Sequence, residues 1–189
     1  MDVRIVDISD QFSLDEYARD PHAGTHIDSP AYALDGRKRI GDFGLERFII
    51  EAGLLDLSHK KPGQAIDDED LEAAEEAAGL ALRDGEAAVL YTGDSVSSRV
   101  RRPNVYLSRN GAEYLEFKGV SLVGIDSANI DNSETPELPA HRTLLSKEIL
   151  VLEGLRNLGA VDFSRFRLAS FPLKLSAPTA PARAVAILE

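Results

Sequence analysis

The chain has 189 residues, and its 43% apolar and 28% charged content is that of a globular protein, which excludes a collagen-like or wholly disordered chain. Lys and Arg number 21 against 32 Asp and Glu, and the net charge of −11 repels phosphate backbones and anionic membranes, so neither nucleic acid nor membrane is expected as a partner. With no cysteine there is no disulfide framework, no thiolate nucleophile and no thiolate zinc site, so any transition metal must rest on carboxylates and the four histidines His22, His26, His59 and His141.

The start, Met1 to Ile8, alternates charged and apolar residues and lacks the apolar core of a signal peptide. No stretch approaches the ~18–20 apolar residues of a membrane helix, so a cytoplasmic protein is expected. Val3, Ile5 and Ile8 suggest a first strand, and the polar Ser9–Pro21 a loop or short helix. Residues 47–57 read as one or two buried strands, ending in a turn over Ser58–Gly63. Asp67 to Ala78 is the clearest helix: Asp67 or Asp68 caps it, Leu71, Ala74, Ala77 and Ala78 form its apolar stripe, and Gly79 ends it. Ala87–Tyr91 reads as a buried strand. The short basic cluster Arg99, Arg101 and Arg102 reads as a solvated loop. Ser108 caps a second helix over 109–117, closed by Gly119, and Val120–Ile125 is another strand. The polar Ser127–Pro139 segment has the character of a loop over an active site. A short helix from Pro139 carries His141, Leu144 and Leu145; strands follow at 149–152, 167–175 and 184–188, with Pro178–Pro181 as a loop between the last two. The alternation, with no linker, predicts one α/β domain over residues 1–189.

The most informative segment is Pro21-His22-Ala23-Gly24-Thr25-His26-Ile27-Asp28-Ser29-Pro30. On a helix His22 and His26 would share a face, but Asp28 would lie about 200° from His26. In an extended chain residues 22, 24, 26 and 28 all face the same way, and Gly24 and Pro30 also disfavour a helix. The extended reading puts two imidazoles and a carboxylate on one side, with Gly24 leaving a gap through which a metal or its water can approach. Such donors suit Zn2+ or Mn2+, and three of them leave positions open for water. The spacing alone fits a surface hydrogen-bond cluster equally well.

These residues resemble the H-x-G-T-H-x-D-x-P signature of the putative cyclase family of metal-dependent hydrolases, which includes bacterial kynurenine formamidase (arylformamidase) and isatin hydrolase. The resemblance runs over nearly the whole chain: Asp7-Ile8-Ser9, Asp56-Leu57-Ser58 with Pro62-Gly63, Tyr91-Thr92-Gly93, Val123-Gly124-Ile125-Asp126 with Ile130-Asp131, Leu138 to Leu145, Glu153 to Leu158, Pro172-Leu173-Lys174 and Pro181 to Val185 follow the family's blocks in order. It implies a swivelling β/β/α three-layer domain, assembled as a homodimer or homotetramer. It also implies cleavage of a small amide, formamide or lactam C–N bond by a metal-activated water. His22, His26 and Asp28 would hold a first ion, and Asp28 would bridge to a second completed by His141 and Glu153. The implied cofactor is a divalent metal, Zn2+ before Mn2+, with one or two ions per subunit. By themselves His141 reads as a surface or capping residue and Glu153 as a salt-bridge partner.

Two features depart from the family pattern. In the formamidases the signature continues to P-x-H, whose histidine shuttles a proton; here the position is Tyr32, a poor general base that can donate a proton or hydrogen bond, or serve only as a packing residue. The loop before His22 is shorter than in the formamidases, and the chain has no Trp. An alternative to the hydrolase is therefore a catalytically degenerate, metal-containing protein that binds a small ligand without turnover. His59, in a turn beside Lys60, Lys61 and Pro62, reads as exposed and non-catalytic.

Overall fold

A computed structural model describes residues 3–94 and 103–189. The Arg99, Arg101 and Arg102 cluster lies outside the described residues. The described elements are, in order, β1 (Arg4–Asp7), α1 (Leu14–Arg19), β2 (His26–Asp28), β3 (Ile49–Asp56), β4 (Ala65–Ile66), α2 (Asp68–Ala78), β5 (Ala87–Tyr91), β6 (Tyr106–Leu107), α3 (Arg109–Phe117), β7 (Leu122–Ile125), α4 (Pro139–Ser146), β8 (Leu150–Glu153), β9 (Arg165–Pro172) and β10 (Thr179–Leu188).

The large sheet runs β1-β10-β2-β8-β7-β5-β3-β9, and β9 pairs again with β10. Seven strands thus close a flattened ring, with β1 added outside it along β10. Strands β3, β5, β7 and β8 are mutually parallel, and the pairings that complete the ring are antiparallel. Alternation along β5 shows why the layers form. Ala87 and Val89 join the ring interior with Ile27, Leu150, Leu152, Phe166 and Leu168. Ala88 and Leu90 pack with Leu55, Leu71, Leu115, Val123 and Leu144 under the helices. A strand buried on both faces must be apolar at every position, as Ala87 to Leu90 are. Two sheet faces and a helical layer make this the β/β/α architecture that the resemblance implies.

The helices begin and end where their caps dictate. Asp67 and Asp70 bond reciprocally at the start of α2, and Gly79 ends it at φ +61°. Ser108 Oγ accepts from the Gly111 amide at 3.0 Å to start α3, and Ser13 with Glu16 forms a capping box on α1. The stretch 47–57 holds one strand, β3, entered through a 3-10 turn over Leu45–Phe48. The expected loop at Pro178–Pro181 is corrected: Thr179–Pro181 opens β10 and pairs with β2, with Pro181 opposite His26. Proline is tolerated there because its carbonyl still accepts from the Leu173 amide at 3.0 Å, and the next amide, that of Ala182, donates to the Thr25 carbonyl just before β2 at 2.9 Å. No described helix is long and apolar enough to cross a membrane.

Candidate metal centre

Strand β2 has only three residues, yet it is bonded on both edges, by β10 and by β8. Ile27 points into the ring, so its neighbours His26 and Asp28 point out of it together. Glu153, the last residue of β8, lies opposite His26. His141, in the first turn of α4, faces the same place from the helical layer. All four are buried.

His22 arrives differently from expected. Residues 21–25 form a turn, with Gly24 at φ +69°, so the extended run of alternate residues holds only for His26 and Asp28. Gly24 does not open a gap for an ion either. A Cβ there would lie 2.4 Å from the Phe12 ring, and the Gly24 carbonyl accepts from His26 Nδ1 at 2.9 Å. The turn brings His22 Nδ1 to 3.1 Å from His26 Nε2 and 3.6 Å from Asp28 Oδ1.

Donor atoms of His22, His26, Asp28 and Glu153 all lie within 4.8 Å of one another. His26 Nε2 is 3.0 Å from Glu153 Oε2 and 3.7 Å from Asp28 Oδ2. Donors ~2.1 Å from a tetrahedral ion are separated by ~3.4 Å, the middle of this range, so the set fits a divalent cation. His141 Nε2 adjoins the group, 3.3 Å from Asp28 Oδ2 and 3.2 Å from Glu153 Oε1. Its Nδ1 donates to Asp131 Oδ2 at 2.7 Å, as His26 Nδ1 donates to Gly24, so both Nε2 atoms face the group.

The electrostatics agree with the donor chemistry. Burial alone would lower the pKa of His26, but its hydrogen bond to Glu153 and the charges of Asp28 and Glu153 outweigh it and hold the imidazole at about 9. His141 is likewise held well above its usual value: burial opposes this, and Glu153, Asp131 and Asp28 prevail. Burial would raise Glu153, but His141 and His26 bring it well below the usual carboxylate range. A pocket of buried carboxylates demands positive charge, which the imidazoles can supply by protonation and a cation can supply in their place.

Tyr32 is half-buried, its ring centroid 4.8 Å from that of His22 and 5.0 Å from that of His141. Burial, with Asp28, Glu153 and Asp131, raises its pKa against the opposing charge of His141. His59 is exposed, as expected. Two contributors have no marked role in the sequence. Asp131 binds His141 and the amides of Ala140 and His141 at 2.7 and 3.1 Å, capping α4, and Thr179 Oγ1 donates to Asp28 Oδ1. Asp131 lies too far before Pro139 for a capping pattern, and only its place in the Ile130-Asp131 block of the resemblance could have pointed to it. A cavity of about 680 Å³ opens over the centre, lined among others by Phe12, His22, Tyr32, Asn129, Glu153 and Arg156.

Residues 6–132 match the family model described as Putative cyclase. The chain is 31% identical over 167 residues to a kynurenine formamidase of Salinibacter ruber, covering 87% of this chain and 74% of that one. It is 34% identical over 166 residues to a kynurenine formamidase of Geobacillus thermodenitrificans, covering 86% and 74%. A solved structure titled as a potential metal-dependent hydrolase with cyclase activity superposes with a TM-score of 0.83 at 25% identity, covering 98% of each chain. Isatin hydrolase A from Labrenzia aggregata superposes with a TM-score of 0.85 at 20% identity, covering 98% of this chain and 94% of that one, a likeness of fold.

Proposed function

Because the chain belongs to the putative cyclase family, we propose that it is a metal-dependent hydrolase opening the C–N bond of a small formamide, amide or lactam. One observation supports this reading: five histidine and carboxylate side chains, of the kinds that can ligate a metal, converge beneath one cavity from a turn, two strands and a helix. His22, His26 and Asp28 would hold one cation, with Glu153 beside them; Asp28, His141 and Glu153 form the donor group for a second. Zn2+ and Mn2+ suit this mixture of imidazole and carboxylate. When bound, a divalent cation polarises a carbonyl and makes water more acidic.

The remaining work falls to the chain. Gly24 and Asp131 fix the tautomers of His26 and His141, so that both Nε2 lone pairs face the centre. The cavity is of a size for a small aromatic substrate, and Phe12 offers it an apolar wall. Amide cleavage requires a proton on the leaving nitrogen. Tyr32, whose ring packs against His22 and His141, would give it or hydrogen-bond the oxygen that gains charge. Assembly as a homodimer or homotetramer accompanies this reading and is checked by light scattering.

The test is turnover of N-formyl aromatics and lactams by Zn2+- or Mn2+-loaded protein, with metal counted by elemental analysis. Hydrolysis abolished by chelation, and His26→Ala losing both metal and turnover, support the proposal. Full metal content in His26→Ala, or no hydrolysis across the panel, overturns it. Tyr32 in place of the family's histidine favours a second reading, a protein that binds a small aromatic ligand without turnover. Tight binding of such a ligand by metal-loaded protein that hydrolyses nothing would select it.

A further inference from the structure

Beyond the donors themselves, the centre depends on the loop between β7 and α4, which touches it twice. The Ile130 amide donates to Glu153 Oε1 at 2.7 Å, and Asp131 holds His141. Glu153 and His141 are therefore only as well placed as residues 130 and 131.

What fixes those residues is a side chain from elsewhere in the fold. Asn104, buried at 6% exposure just before β6, spends its amide on this loop. Its Nδ2 donates to the carbonyls of Asn129 at 2.6 Å and Asp131 at 2.9 Å, and its Oδ1 accepts from the Ser133 amide at 3.0 Å. Nδ2 also lies 3.2 Å from the Val105 carbonyl. The three loop contacts fall on residues 129, 131 and 133, so one amide ties together the backbone that carries Ile130 and Asp131. The set needs two donor hydrogens and an acceptor on one planar group, which a carboxamide supplies and a carboxylate does not. The backbone around Asn104 is itself tied down, because its carbonyl accepts from the Gly63 amide at 2.9 Å.

We propose that Asn104 is a positioning residue of the centre, setting Glu153 through Ile130 and His141 through Asp131 without touching metal or substrate. This rests on the reading of the centre as metal-binding, and the test separates the two. Asn104→Asp puts a carboxylate against the carbonyl oxygens of Asn129, Asp131 and Val105. In metal-free protein, amide exchange at Ile130 and Ala140 should quicken about tenfold or more while Val89, in the middle of β5, stays as protected as before. In competition with a chelator, Zn2+ affinity should fall about 10–100-fold, and with saturating metal kcat should drop at nearly constant KM. Leu188→Ala, which removes a buried side chain at the far end of β10, lowers Tm without moving the loop amides or the Zn2+ affinity. Should Asn104→Asp fail to fold, Asn104→Ser is measured in its place. Unchanged protection at Ile130 and Ala140, or a Zn2+ affinity within about twofold of wild type, overturns the proposal. A wild-type protein that takes up no Zn2+ refutes the metal reading, and the exchange measurement still decides the role of Asn104.

Discussion

Gly154 and Gly24 stand backbone to backbone, so close that a Cβ on Gly154 would lie 2.6 Å from the carbonyl oxygen of Gly24. That oxygen is the one that accepts from His26 Nδ1, and Gly154 itself sits at φ +67° directly after Glu153. A side chain at 154 would push on the support of one donor and strain the turn that follows another. Gly154→Ala is expected to cost about 1–3 kcal/mol in thermal unfolding and to weaken Zn2+ binding in chelator competition. Unchanged metal affinity would mean that the contact is dispensable.

Asp131→Asn tests the partner of His141. An amide can still accept from the Ala140 N–H, so α4 should persist, but the anionic acceptor for His141 Nδ1–H is gone. Metal affinity should fall about 10–100-fold with helical circular dichroism unchanged. Loss of the helix signal instead would make Asp131 chiefly a cap.

The phenol of Tyr32 is separable from its ring. Tyr32→Phe keeps the packing against His22 and His141, so metal content should not change, while kcat should fall about 10²–10⁴-fold if the hydroxyl supplies the proton. Tyr32→His, which supplies the P-x-H form that the resemblance implies, should retain turnover. Equal rates for wild type and Tyr32→Phe would assign Tyr32 to packing alone.

A stability switch lies away from the centre, between α2 and α3. Burial would raise the pKa of Glu75, but the Tyr114 hydroxyl, the Leu82 amide at 2.5 Å and Lys118 Nζ at 3.0 Å outweigh it and hold the carboxyl below its ordinary value. A depressed folded-state pKa stabilises above the unfolded value and is lost as pH falls through the folded one. Glu75→Gln should therefore cost about 1–3 kcal/mol at neutral pH, with the gap narrowing in acid below pH ~4. Thermal unfolding across that range checks it, and a pH-independent gap would contradict it.

Metal should also stabilise. Free Zn2+ at a hundredfold its Kd adds about 2.7 kcal/mol to folding, so calorimetry should show Tm rising with Zn2+ and falling with chelator. An unchanged Tm would count against a built site.

Local signals made much of the fold legible. Asp67 with Gly79 bounds α2, Ser108 bounds α3, and the short apolar run at 87–91 reads as a strand buried on both faces. The histidine signature was visible for the same reason: His22, His26 and Asp28 are close in sequence. The rest of the centre is assembled across long separations. Thr179 reaches Asp28 over 151 positions, and His26 meets Glu153 over 127. Nothing in the periodicity of either segment encodes such partners, and only the resemblance brought His141 and Glu153 forward. Pro181 was misread because proline usually breaks strands, and its place opposite the end of β2 depends on the ring closing.

The short strand β2, bonded to neighbours on both sides, carries His26 and Asp28 on a backbone held along both of its edges. Calcium takes six to eight oxygen donors, and it would meet imidazoles where it needs carboxylates, so a centre of the kind we propose would take it up poorly.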